Sequence, residues 1–136
     1  MQALLHVENE SATAFVFRAA VAHANIRVSV YRVSDGEQAL GYLRRLEPYA
    51  AVARPDLVFL DLDMPRVDGW QVLVAMRDDK NLRSIPVVVL TTSGDQADKE
   101  RAYALGAKHY ITKPAAFEAL VAEVTAACEK FFSLEM

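Results

Sequence analysis

The chain has 136 residues, 53% hydrophobic and 24% charged, with a formal net charge of -3. That composition gives one globular domain over residues 1–136 with a sizeable core, and the interspersed charges form none of the cationic stripes that draw nucleic acid. The single Cys128 excludes an internal disulfide and multi-cysteine metal motifs; no run is long enough for a signal peptide or a membrane span, so a cytoplasmic protein is the expectation.

Ala3 to Val7 reads as a first strand, interrupted only by His6, and runs into the polar loop Glu8, Asn9, Glu10. Ser11 is placed to cap a helix with Phe15, Ala19 and Ala22 on its packed face, lasting to about His23–Asn25. Val28 to Val33 forms a second strand, and Ser34-Asp35-Gly36 opens a helix carrying Ala39, Leu40 and Leu43, closed by Pro48. After a loop over Glu47–Arg54, Leu57 to Leu60 reads as a buried third strand ending at Asp61. The turn residues Met64, Pro65, Asp68 and Gly69 then lead to a helix over Trp70–Arg77 with Val72, Leu73 and Met76 on one side.

Pro86 to Thr91 is the most continuous apolar run, as a strand covered on both faces requires, and it ends in Thr91, Thr92 and Ser93. The next helix opens at Gly94 and Asp95, with Asp95 and Asp98 at its positive end. Its large apolar residues are little more than Tyr103 and Leu105, so it is weakly anchored, and Gly106 ends it. His109 to Thr112 forms a fifth strand before the Lys113-Pro114 turn. Phe117, Leu120, Val121, Val124, Cys128 and Phe131 then make an amphipathic stripe, with Phe132 and Leu134 left as a candidate exposed patch.

This alternation implies a single parallel sheet with right-handed helical crossovers on both faces. Glu8, Asp61, Thr91 and Lys113 each fall just past a strand's carboxyl end, where such sheets bind ligands. Glu8 and Asp61 suit a hard cation such as Mg²⁺, and Asp61 is also a competent nucleophile toward phosphorus. Thr91 and Lys113 would hold the phosphoryl oxygens. Taken singly, each has an ordinary reading: Asp61 as a turn acid, Lys113 as a solvated lysine, Tyr110 as a strand aromatic, Trp70 as a packing residue at a helix start, and His6 as a core histidine with a hydrogen-bonded ring.

The segments VENE at 7–10, FLDLDMPRVDG at 59–69, VLTTS at 89–93 and YITKP at 110–114 together resemble the receiver domain of two-component response regulators. The resemblance implies a flavodoxin-like, doubly wound five-stranded sheet of order 2-1-3-4-5 and a cis bond at Lys113-Pro114. It implies Asp61 as phosphoacceptor from a sensor histidine kinase, Glu8 and the Asp63 carbonyl as metal-site groups, Thr91 as switching hydroxyl, Lys113 as phosphate-binding lysine and Tyr110 as an aromatic that turns inward. Activity would be limited to self-phosphotransfer and autodephosphorylation at Asp61, with no separate substrate.

The 47–54 loop and the aromatic C-terminal helix look most like stand-alone receivers that partner phytochrome-type histidine kinases. This narrower likeness implies no effector domain, output by phosphorylation-dependent protein binding, and a homodimer through the fourth helix, fifth strand and fifth helix. Neither nucleic acid nor membrane is an expected partner.

Asn9 departs from the family pattern, which has two adjacent acids here; an amide removes one charge and weakens Mg²⁺ binding. Three outcomes stay open: a working receiver with weak metal binding, one rescued by Glu10, and a degenerate receiver acting as a phosphate-independent interaction module. The first is favoured because Asp61, Thr91 and Lys113 are retained. A metal-dependent hydrolase of similar topology is a rival from another class, but its DxDxT signal belongs after the first strand, and here the DxD follows the third.

Overall fold

The computed structural model describes residues 2–64 and 67–132. Ten elements alternate: β1 (Gln2–Val7), α1 (Ser11–His23), β2 (Val28–Val33), α2 (Gly36–Leu43), β3 (Leu57–Leu60), α3 (Gly69–Asp78), β4 (Val87–Thr91), α4 (Gln96–Ala104), β5 (His109–Thr112) and α5 (Phe117–Phe132). The sheet order is β2-β1-β3-β4-β5 and every pairing is parallel, as expected. The order reverses between β1 and β3, which opens a crevice above their carboxyl ends.

Period-two alternation divides the core. Val58 and Leu60 of β3 face the layer formed with α2, α3 and α4, whereas Leu57 and Phe59 face the layer formed with α1 and α5. β3 and β4 are buried along their whole length because helices cover both faces, and this is why they read as unbroken apolar runs.

The packed face of α1 differs from the sequence reading. Ala14, Phe17, Ala20 and Val21 are buried, while Phe15 is 73% exposed and Ala22 is also exposed. Residues 11–23 are apolar on nearly every side, so periodicity alone does not select a face. The sheet selects it: Phe17 stacks on His6 with ring centroids 4.0 Å apart and meets Phe59 edge-on at 5.0 Å. Ser11 is not the cap either, since Glu10 holds that position without a side-chain cap bond.

Around the site the local chemistry is well defined. Asp68 and Gln71 form a capping box at the start of α3, each side chain accepting from the other's backbone N–H at 2.9 Å. Helix α4 buries only Ala102 and is tied to α3 by Arg101, whose guanidinium lies 4.1 Å over the Trp70 ring. Gly106, with φ 107, ends it as expected. In α5, Leu120, Val124, Ala127 and Cys128 are buried and Phe117 is exposed. Phe131 and Phe132 pack partly against the core, so the proposed patch loses Phe132; Leu134 and Pro65 lie outside the described residues. The cis bond of the described residues is Glu47–Pro48, and the one implied at Lys113–Pro114 is not found. A proline's presence does not select the isomer, the two differing by about 0.5–1 kcal/mol.

Candidate functional site

β1 carries Glu8, β3 carries Asp61 and β4 ends in Thr91, and all three residues are buried at the crevice: Glu8 is 1% exposed, Thr91 2% and Asp61 6%. The sheet sets their positions, with Asp61 N–H donating to the Val7 carbonyl at 3.0 Å and Glu8 N–H to the Val33 carbonyl at 3.0 Å. Lys113 follows β5 and is anchored by its own N–H on the Thr91 carbonyl at 2.7 Å. Its ammonium reaches across the crevice to lie 3.0 Å from Glu8 Oε1 and 3.8 Å from Asp61 Oδ2. Two buried carboxylates need a cation, and Lys113 supplies it.

Backbone groups complete the cradle. Asp63 N–H donates to Asp61 Oδ1 at 3.2 Å and Glu10 N–H to Glu8 Oε2 at 3.1 Å. Burial pushes the Asp61 carboxyl up to about 6, opposed by the Lys113 charge and the Asp63 N–H and aided by the neighbouring Glu8. At neutral pH Asp61 is therefore ionised, with its proton affinity tuned close to the working range.

The donor set fits a hard divalent cation. Glu8 and Asp61 offer carboxylate oxygens, and the Lys113 ammonium already stands beside them as a cation. Among the described residues no group of three or more His, Cys, Asp or Glu side chains is arranged to hold a metal. The two carboxylates brought together at the Lys113 ammonium are those of Glu8 and Asp61. The Glu10 carboxylate accepts from Thr13 Oγ1 at 3.0 Å, along α1.

Tyr110 is 7% exposed, its ring buried and its hydroxyl donating to the Ser93 carbonyl at 2.9 Å. The ring therefore faces the interior in this structure. His6 is buried as expected, but its ring is not satisfied as expected, because Nδ1 has no hydrogen-bond partner. Stacking on Phe17 occupies the ring face instead. Burial, with Lys113, Arg32 and Arg18 nearby, lowers its pKa to about 3, so the imidazole is neutral.

Two further residues shape the site. Arg32 Nε donates to the Glu8 carbonyl and its Nη2 to the Asn9 carbonyl, each at 3.0 Å. Its only sequence signal is a cation inside a β-branched strand. Gly69, a turn residue by sequence, permits close approach: a Cβ there would collide with the Asp61 carbonyl oxygen and lie 2.5 Å from Leu62 Cα.

Comparison with known proteins bears on this site. The family model for the response regulator receiver domain matches residues 4–125. The probable methanogenesis regulatory protein FilR2 of Methanothrix harundinacea is 39% identical over 86% of this chain and 75% of its own. Response regulator Rcp1 of Synechocystis is 34% identical over 81% of this chain and 75% of its own; its Mn²⁺-bound crystal structure superposes with a TM-score of 0.85 at 30% identity, covering 97% of this chain and 94% of that one. The phosphorylated cyanobacterial phytochrome response regulator RcpA superposes with a TM-score of 0.90 at 37% identity, covering 98% and 95%.

Proposed function

The chain belongs to the response regulator receiver family, and from that premise we propose that it is a stand-alone response regulator phosphorylated on Asp61 by a sensor histidine kinase of the phytochrome type. The observation that carries this reading is the junction of Asp61, Glu8 and the Lys113 ammonium at one crevice, 3.8 Å separating Lys113 Nζ from the Asp61 carboxylate. The phytochrome link rests on the likeness to Rcp1 and RcpA.

In the proposed reaction, an Asp61 oxygen attacks the phosphorus of the kinase's phosphohistidine. A P–O bond forms, the P–N bond breaks, and the departing imidazole retains the electron pair. Ionisation of Asp61 at neutral pH keeps the nucleophile available, and the Asp63 N–H holds its other oxygen in line. Lys113 turns from Glu8 toward the phosphoryl oxygens, and the Thr91 hydroxyl donates to them. Glu8 and Asp61, with the Asp63 main-chain carbonyl, would hold Mg²⁺, which when bound supplies charge neutralisation at the phosphoryl group.

Output goes through protein binding. Thr91 sits at the end of β4, two residues before Ser93, whose carbonyl holds Tyr110, so movement at Thr91 reaches the weakly anchored α4 through that hydrogen bond. A homodimer through α4, β5 and α5 is part of the proposal, supported by the exposure of Tyr103 on α4.

Incubation with a small acyl phosphate and Mg²⁺, followed by intact mass measurement, is expected to add one phosphoryl group to the wild type and none to Asp61→Asn. Labelling that survives the substitution overturns Asp61 as acceptor. Absence of labelling at any Mg²⁺ concentration favours the phosphate-independent module that Asn9 raises. Asn9→Asp restores a third carboxylate and is expected to tighten Mg²⁺ binding about tenfold, measured by calorimetry.

A further inference from the structure

The acid loop after β1 is braced from the edge strand. Arg32 lies level with His6 in the β1–β2 register, and its planar guanidinium forks onto two successive main-chain carbonyls, Glu8 by Nε and Asn9 by Nη2. The Glu8 N–H is held from the same strand by the Val33 carbonyl. Both sides of the Glu8 peptide backbone are thereby fixed by β2, while its side chain is fixed by Lys113 and the Glu10 N–H.

The two carbonyls also show what the arginine is not doing. It neutralises neither carboxylate, because neither Glu8 nor Asp61 takes a bond from it; Lys113 serves them both. A guanidinium is suited to this brace because two of its N–H groups point in parallel, whereas an ammonium is a point charge without that fork. Positive charge beside a cation pocket is a handicap to metal binding, so its presence calls for a geometric explanation.

We propose that Arg32 is a positioning residue of the divalent-cation pocket, holding the main chain at Glu8 and Asn9 so that the Glu8 carboxylate stays registered with Asp61. The inference rests on the receiver reading above and adds to it a residue outside the acids, hydroxyl and lysine. Geometry and charge predict opposite signs for its removal. A lost brace loosens Mg²⁺ binding; a lost positive charge tightens it.

The test uses the full chain and Mg²⁺ alone as ligand, with wild type, Arg32→Lys and Arg32→Gln compared by calorimetry at fixed pH and ionic strength. Both variants are expected to bind about tenfold more weakly, the lysine variant no better than the glutamine one because it loses the fork and keeps the opposing charge. In acyl-phosphate labelling, the Mg²⁺ concentration for half-maximal rate rises correspondingly while the rate at saturating Mg²⁺ is retained, a split that a general loss of fold does not produce. Thermal unfolding without Mg²⁺ checks that both variants are folded. Unchanged affinity in the two variants overturns the proposal, as does tighter binding by Arg32→Gln with Arg32→Lys like wild type, which makes Arg32 a charge and nothing more. A labelling rate not recovered at saturating Mg²⁺ also overturns it. If the wild type itself gives no saturable Mg²⁺ response, the metal-site reading fails, and the inference with it; a normal wild-type response beside unaltered variants rejects Arg32 alone.

Discussion

Gly69→Ala is expected to destabilise the fold by about 3 kcal/mol, the upper end of the overpacking range, and to slow phosphoryl labelling by about 100-fold. Both effects have one cause. Gly69 is the first residue of α3 and donates its N–H to the Leu62 carbonyl at 3.1 Å, so helix and strand end touch backbone to backbone. The added methyl meets the Asp61 carbonyl oxygen and the Leu62 Cα, neither of which can rotate away as a flexible side chain would. Either α3 moves outward or the Asp61 peptide moves inward. The first exposes the apolar seam of Val72, Leu73 and Met76, and the second misaims the proposed nucleophile. Urea unfolding and labelling kinetics measured on the same preparation check this. A variant of wild-type stability with wild-type labelling shows that the junction yields at no cost.

Asp61→Asn is expected to raise stability at pH 7 by about 2 kcal/mol while removing the proposed phosphoacceptor. The carboxyl ordinarily ionises near 3.8 and in the folded chain is pushed up to about 6, by burial first and by Glu8 after it, against the pull of Lys113 and the Asp63 N–H. Between those values the folded chain binds more protons than the unfolded chain. Its contribution to stability is therefore complete below the unfolded value and lost as pH rises through about 6. At neutral pH the wild type carries the burden of a buried charge that the amide does not. The advantage of Asp61→Asn should vanish near about pH 4, where the wild-type carboxyl is protonated. Denaturant midpoints at the two pH values decide it. An amide variant less stable at pH 7 means that the Lys113 attraction outweighs burial.

Much of this was legible in the sequence because it follows from one-dimensional patterns. Apolar runs stopping at Glu8, Asp61, Thr91 and before Lys113 gave the strand ends, and parallel topology brings strand ends together. The misread parts depend on what neighbours in space do. Residues 11–23 carry apolar groups on every side, so only the sheet could choose Phe17 over Phe15. Glu10 stood next to the pocket in sequence but turns along α1 to Thr13. Gly69 and Asp68 looked alike as turn residues, yet one excludes a side chain and the other caps a helix through its own. Arg32 acts through two acceptors that lie in the backbone, where no sequence pattern records them.

The ion pair between Lys113 and Glu8 joins residues 105 positions apart. Such a contact closes a long loop, and β1 is flanked on both sides only when β3 arrives from some fifty residues downstream to pair beside it. The ammonium that joins Glu8 to Asp61 is therefore missing from any partly folded chain in which β5 has not yet paired with β4. The grouping of Glu8, Asp61 and Lys113 is thus a property of the completed sheet, and no shorter stretch of the chain carries it.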